Sequence, residues 1–275
     1  MTSARTNQQF TWNNFNNLHG IISTIYINEV IILLNFPAPG KVIDITVPIS
    51  HSTRVFPGDP EPSIKSVYNL EVDGCAVSKL SFGSHTGTHV DAPSHILKDG
   101  KPVDNLELEG LIGRAVILDF SSKTGPLSVD ILESAFRNAG STEGITVLLL
   151  KTKKTGFRTR ARSDLNDADA RQAADSGNRK NGEKGDFEES VYLEESTAAW
   201  IVNNGFTTVG IDDFSVDSLA SENLPAHHIL LSNRVNIVEC LDLSPVEAGN
   251  YFFICLPLKI VGCDGAPARA VLLYE

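Results

Sequence analysis

The chain has 275 residues, enough for one large domain or two small ones, and its hydrophobic fraction of 41% describes a globular protein with a core to bury. A formal net charge of −11 argues against nucleic acid as the main partner, because phosphate binding needs a basic surface. Cys75, Cys240, Cys255 and Cys263 show neither Cys-x-x-Cys spacing nor a small-domain disulfide framework, so they read as thiols of a reducing compartment and are not assigned to metal.

From the N-terminus, Met1 to Leu18 is polar and asparagine-rich, an expected loosely held extension. Ile21 to Phe36 is apolar and β-branched, either an added edge strand or sequence upstream of the ancestral start. It carries Asn28, Glu29 and Asn35 and is short for a bilayer helix. It also lacks the basic start and cleavage site of a secretory signal, so no membrane association is expected and cytoplasm is the expected location. The division is therefore an extension over 1–40 and a single domain over 41–275.

Within that domain Val42–Ile49 reads as a strand and Phe56-Pro57-Gly58-Asp59-Pro60 as a rigid loop. Ser63–Val72 and Ala76–Phe82 are expected to pair around Asp73-Gly74, a hairpin turn signal, with the second strand running directly into the stretch His85 to His95. Gly113–Phe120 and Ile145–Lys151 are apolar strands flanking an amphipathic helix, Val129–Ala139, that Gly140 ends. That alternation predicts an α/β fold. Arg158 to Asp186 is arginine-, aspartate- and glycine-rich, a solvated insertion with charges of both signs.

The core pattern resumes with a helix over Leu193–Asn203, opened by Glu194 and Glu195, and a strand over Thr207–Ile211. Asp212 and Asp213 follow at the strand's C-terminal end, where functional groups often sit; a turn-forming role is favoured for Asp213. Leu224–Leu231 is a helix with proline in its first turn. Val235–Leu241 is a strand carrying Glu239, a carboxylate that is costly in a core unless paired, protonated or metal-bound. Arg234 and Arg269 are its possible pairing partners. Strands Tyr251–Ile260 and Ala268–Leu273 close the chain around Gly262–Gly265. No internal repeat, Gly-x-Gly-x-x-Gly, phosphate loop or Gly-x-Ser-x-Gly elbow occurs, which weakens nucleotide-binding and serine-hydrolase readings.

The densest chemistry is His85-Thr86-Gly87-Thr88-His89-Val90-Asp91-Ala92-Pro93-Ser94-His95, with three of the chain's seven histidines. Imidazole and carboxylate together suit zinc, manganese or iron without thiolate. Glycine and proline turn the backbone, so the side chains can converge on a point. Thr86 and Thr88 either orient ligands or suit the turn.

These residues resemble the signature His-x-Gly-Thr-His-x-Asp-x-Pro-x-His of the cyclase-like metal-dependent hydrolases, which include bacterial kynurenine formamidase and isatin hydrolase. Asp44–Ile49 with Pro57–Pro60 is similar to the family's opening strand and substrate loop, Gly210-Ile211-Asp212 with Ser215 and Asp217 to its later strand motif, and His227 through Glu239 to its closing motif. The resemblance covers Val42 to Glu275 outside the polar insertion. It implies a swivelling β/β/α-type fold, a mixed β-sheet or partial barrel surrounded by helices, in a homodimer or homotetramer. It also implies one or two zinc or manganese ions. His85, His89 and Asp91 match the first ion's ligands, Asp91 and Glu239 bridging carboxylates, and His227, rather than His228, a ligand of the second ion. His95 matches the general acid/base. Phe56 stands where formamidases place a tryptophan against the substrate, which keeps a ring but loses area and the indole donor.

Chemistry and resemblance converge on hydrolysis of a small amide, imide or lactone, with N-formylkynurenine and isatin as examples. Water acidified by metal would attack, and His95 would relay a proton to the leaving group. A non-catalytic metal-binding module and an interaction protein acting through the polar insertion are the competing readings.

Overall fold

A strand covered on both faces reads as an unbroken apolar run, and Val147–Leu150 is such a run within the strand Ile145–Lys151. The computed structural model of the protein describes residues 23–27, 30–34, 41–152 and 190–274. The expected extension over 1–18 and the polar insertion over 158–186 lie outside the described residues. In chain order the elements are β1 (Ser23–Ile27), β2 (Val30–Leu34), β3 (Val42–Asp44), β4 (Ser63–Tyr68), the one-turn helix α1 (Leu70–Asp73), β5 (Val77–Ser81) and β6 (His89–Asp91). Then come β7 (Ile112–Asp119), β8 (Gly125–Leu127), α2 (Val129–Arg137), β9 (Ile145–Lys151), β10 (Val191–Leu193) and α3 (Glu195–Asn203). The last are β11 (Thr208–Ile211), α4 (Pro225–Ser232), β12 (Asn236–Glu239), β13 (Gly249–Pro257) and β14 (Gly265–Tyr274). By contacts the chain divides into two units, Met1–Lys41 and Val42–Glu275. In the first, β1 and β2 pair antiparallel.

In the second unit β13, β7, β9, β11, β12, β6 and β14 lie side by side in that order. β14 then returns to pair with β13, closing a mixed barrel, and β3 adds to β14. β7, β9, β11 and β12 run parallel; the other barrel pairings are antiparallel. Side chains alternate between two cores along each strand. Ala115, Ile117, Val147, Leu149 and Val238 join Val90, Phe253 and Leu272 inside the barrel. Val116, Leu118, Leu148, Leu150, Val209 and Ile237 face Leu132, Ala198, Ile201 and Leu230 of α2, α3 and α4. Each of those valine, leucine, isoleucine and phenylalanine side chains contributes roughly 1.5–3 kcal/mol of burial. Gly210 is the exception: a Cβ there would meet Leu149 Cδ2 at 2.7 Å and Leu241 Cδ1 at 2.8 Å, so its missing side chain makes room for both leucines.

Three local expectations change. The expected strand Val42–Ile49 is regular only to Asp44, because the next residues bond in turn to several strands: Ile45 N–H donates to Ala270 O, and Val47 N–H to Thr88 Oγ1. Asp73-Gly74 is not a two-residue hairpin turn. Asn69 caps α1 by accepting from Glu71 N–H at 3.0 Å, and Gly74 ends it at φ 73°. The resulting ribbon β4–β5 is its own two-stranded sheet and ends at Ser81, shortly before His85; in the stretch that follows, His89 and Asp91 lie on β6. Leu193 ends β10, which pairs with β8, and the helix begins after Glu194.

Candidate metal centre

β6 is only three residues long, His89-Val90-Asp91, and period-two alternation divides it cleanly. Val90 enters the barrel core, so His89 and Asp91 share the opposite face. β12 lies beside it with Glu239 opposite His89 and Ile237 opposite Asp91, which sets Glu239 on the face that carries the two ligands. Across the other edge Gly265 is opposite Asp91, and a Cβ there would stand 2.9 Å from His85 Cε1 and 3.0 Å from Val90 O. Glycine is thus what leaves space for the His85 ring. Thr88 pins the turn before β6, accepting from Val47 N–H at 2.8 Å and donating to Cys240 O at 2.6 Å.

α4 supplies His227 from above this face. Its N-terminal N–H groups have no cap from Leu224, which sits at φ 43°. Asp217 caps them instead: Oδ1 accepts from Ala226 N–H at 2.8 Å and Oδ2 from His227 N–H at 3.0 Å. The same Oδ2 lies 2.7 Å from His227 Nδ1, which places the proton there and turns Nε2 toward the carboxylates. His227 Nε2 lies 3.2 Å from Asp91 Oδ2 and 3.3 Å from Glu239 Oε1. On the other side His85 Nδ1 is 2.9 Å from Asp91 Oδ1, and His89 Nε2 is 3.3 Å from it and 3.5 Å from Glu239 Oε2. His89 Nδ1 lies 2.8 Å from Gly87 O, which fixes that ring as well. Val216 N–H donates to Glu239 Oε1 at 2.9 Å.

Three sets of ligand atoms therefore converge among the described residues: His85–His89–Asp91 and Asp91–His227–Glu239, joined by Asp91, and His85–His95–Asp264, which shares His85 with the first. Within them His89 Nε2 and Asp91 Oδ2 are buried without a hydrogen-bond partner among the described residues. Leaving such atoms unsatisfied costs roughly 1–3 kcal/mol each. A set of imidazoles and carboxylates with two orphaned inward atoms fits a divalent cation.

The charges agree with the geometry. Burial opposes the charge on Asp91, yet the imidazoles of His227, His85 and His89 gathered around it hold its carboxyl well below the usual range. Burial likewise opposes a charged His227, but Glu239, Asp217 and Asp91 raise it well above the ordinary imidazole value. His95 goes the other way: burial lowers it, and His85 and His227 add to the effect against the pull of Asp91 and Glu239. Its ring packs 4.2 Å from that of His85. A histidine lowered in this way is neutral at physiological pH and able to accept a proton.

The structure thus gathers His85, His89, Asp91, His227 and Glu239, with His95 beside them. His228 is exposed on the far side of α4. Among the described residues Glu239 meets His89, His227 and Val216 N–H, and Arg269 bonds Asp44 at 2.6 and 3.0 Å instead. Phe56 lies on its loop, 38% exposed, with its carbonyl accepting from Asp59 N–H; the histidine rings pack on one another rather than on it. Asp213 Oδ1 accepts from Phe214 N–H, a turn contact, and Asp212 Oδ1 accepts from Thr152 N–H and Oγ1, tying β11 to β9. Cys240, next to Glu239, lies against His89, but burial pushes its thiol up to about 11. Sequence reasoning missed two working aspartates. Asp217 was visible only as a motif position, and Asp264 looks like any aspartate before a turn glycine, yet its Oδ2 lies 3.1 Å from His85 Nε2.

A family described as putative cyclase matches residues 43–218. The chain is 32% identical over 232 residues to a kynurenine formamidase of Bacillus cereus, a match covering 84% of this chain and 96% of that protein. The solved structure of a predicted metal-dependent hydrolase from Bacillus stearothermophilus superposes with a TM-score of 0.62 at 29% identity, over 86% of this chain and 98% of that one. Isatin hydrolase A from Ralstonia solanacearum shares the fold, with a TM-score of 0.67 at 24% identity over 86% of this chain and 92% of that one.

Proposed function

The chain belongs to the putative cyclase family of metal-dependent hydrolases, and from that premise we propose that it hydrolyses the C–N bond of a small amide of the N-formylkynurenine type. The convergence of three histidines and two carboxylates around two orphaned buried atoms carries this reading. His85, His89 and Asp91 hold one divalent ion, zinc or manganese, and Asp91, Glu239 and His227 a second where two are bound. Such an ion supplies Lewis acidity to a carbonyl and acidifies water. Asp217 and Gly87 O fix the tautomers of His227 and His89, so their Nε2 atoms present lone pairs inward. His95 takes the proton of the attacking water and returns it to the leaving nitrogen. Its Nδ1 lies 3.8 Å from Asp264 Oδ2. The half-exposed ring of Phe56 provides an apolar wall for the substrate's aromatic body. Phenylalanine in place of the formamidases' tryptophan favours, as a second reading, a cyclic amide or lactone of the isatin type.

We further propose a homodimer or homotetramer. The ribbon β4–β5 exposes Val67, Tyr68, Leu70, Val72, Val77 and Leu80, and a two-stranded ribbon with such a surface is marginal without a covering partner. A cytoplasmic location is supported by four free cysteines. No helix among the described residues is long and apolar enough to cross a membrane.

The deciding experiment is metal analysis of the purified protein with a panel of N-formylkynurenine, isatin and aryl lactones. We expect bound zinc or manganese and turnover of the formamide, with His95→Ala abolishing turnover while keeping its metal. Full metal occupancy without turnover of any of these would refute the hydrolase reading, and loss of metal from His95→Ala would refute the role given to His95.

A further inference from the structure

We propose that Asp264 is a positioning residue that ties His85, on the metal side, to His95, on the proton side. Its Oδ2 lies 3.1 Å from His85 Nε2 and 3.8 Å from His95 Nδ1, so one carboxylate oxygen faces both rings, which pack 4.2 Å apart at 43°. A carboxylate there only accepts, so it places the His85 proton on Nε2. That leaves Nδ1, 2.9 Å from Asp91 Oδ1, as the nitrogen offered to a metal ion. Histidine ligands commonly have their outer nitrogen held in this way, and the holding group sets both tautomer and ring angle.

The turn carrying Asp264 is built to keep the carboxylate in place although its side chain is 45% exposed. Asp264 O accepts from Ala92 N–H at 2.9 Å, directly after Asp91. Cys263 O accepts from Val103 N–H at 2.8 Å, and Gly262 N–H donates to Asp104 Oδ1 at 2.8 Å. The thiol of Cys263 sits 3.4 Å from Asp264 Oδ1. The next residue is Gly265, the one whose missing Cβ admits the His85 ring. Asp264 and Gly265 together therefore form the seat of that imidazole: one holds its outer nitrogen, and the other clears its edge. An exposed carboxylate of this kind adds little to overall stability, so its effect is on the site.

The inference rests on His85 being a metal ligand, and the test separates the two. Zinc affinity is measured by competition with a chromophoric chelator for the wild type, Asp264→Ala and Asp264→Asn, and the His85 Nε2–H is followed by its proton shift and solvent exchange in the zinc-loaded proteins. We expect Asp264→Ala to bind zinc about ten- to a hundredfold more weakly at unchanged stoichiometry. Asp264→Asn, whose amide oxygen still accepts, should fall in between. The downfield shift and slow exchange of the His85 Nε2–H should be lost in Asp264→Ala, with the metal-free melting temperature unchanged. An unaltered zinc affinity and Nε2–H signal would overturn the proposal. So would loss of one whole equivalent of zinc with the remaining affinity intact, since Asp264 would then be a ligand alongside His85 and His95. A wild type that takes up no zinc would instead sink the metal reading on which the proposal rests.

Discussion

Replacing Asp217 by asparagine should cost far more than a single isosteric change suggests. The side chain is 2% exposed and accepts three hydrogen bonds, two from the first turn of α4 and one from His227 Nδ1. Asparagine retains one oxygen. If that oxygen takes the Oδ2 position, the amide nitrogen faces Ala226 N–H, donor against donor; the flipped amide faces His227 N–H and Nδ1 instead. The loss of a charged hydrogen bond is about 1.5–3 kcal/mol, and removal of a negative charge from a helix N-terminus adds about 0.3–2 kcal/mol. We expect about 3 kcal/mol in total, read as a shift of the urea midpoint at constant slope in chelator-treated protein. The pH dependence has a definite sign. Burial would raise the Asp217 carboxyl, but the bonds from His227 and Ala226 hold it below its ordinary value. Its contribution is therefore fully present above the unfolded value of about 3.9 and is lost as pH falls through the folded one. The wild-type advantage should hold constant from about pH 7 to 5 and shrink in stronger acid. A destabilisation under about 0.5 kcal/mol, within the range of an ordinary surface change, would refute this account of α4 and of His227.

Gly265→Ala should weaken zinc binding and cost about 1–3 kcal/mol, because the new methyl meets the His85 ring and the unyielding Val90 carbonyl; an unchanged zinc affinity would contradict it. Burial raises the thiols of Cys240 and Cys255 to about 11 and about 12, so neither should react with a disulfide reagent at pH 8 in the native state, whereas exposed Cys75 should. Mass mapping of the labelled protein checks this, and native labelling of Cys255 would contradict the packing of the barrel. Arg269→Ala breaks a bidentate but largely exposed pair with Asp44, so stability should change by less than about 1 kcal/mol and zinc affinity not at all. A loss of zinc affinity would revive Arg269 as a partner of Glu239.

Much of the core was legible because its signals are local. Ile145–Lys151 has the same bounds in sequence and structure, since the apolar run Val147–Leu150 at its centre is fully buried. Glu239 stood out because a carboxylate in an apolar strand needs an explanation, and the explanation is the cluster formed with His89 and His227. The ribbon was less legible. Asp73-Gly74 signals a turn whether the turn is a two-residue hairpin or the end of a one-turn helix, and the distinction lies with Asn69. Leu193 fits a helix by pattern, but pairing of β10 with β8 overrides that preference.

Sequence alone determined the candidate donor set: imidazoles and carboxylates rather than thiolates, spaced His-x-x-x-His-x-Asp on a turning backbone, with a third histidine and a second carboxylate far downstream. Which of them face together was set by β6, a strand whose side chains alternate with a period of two, where the sequence showed only a turning backbone. The tertiary structure decided which donors meet and which nitrogen each presents. β12 and β14 flank β6 through strand order, which local propensity does not encode, and that order sets Glu239 beside His89 and Gly265 beside Asp91. The inward nitrogens are set by Asp217, Gly87 O and Asp264, and the last reaches His85 across 179 residues of chain. An aspartate in a turn has the same sequence signature whatever folds against it, so its role exists only once the barrel has closed.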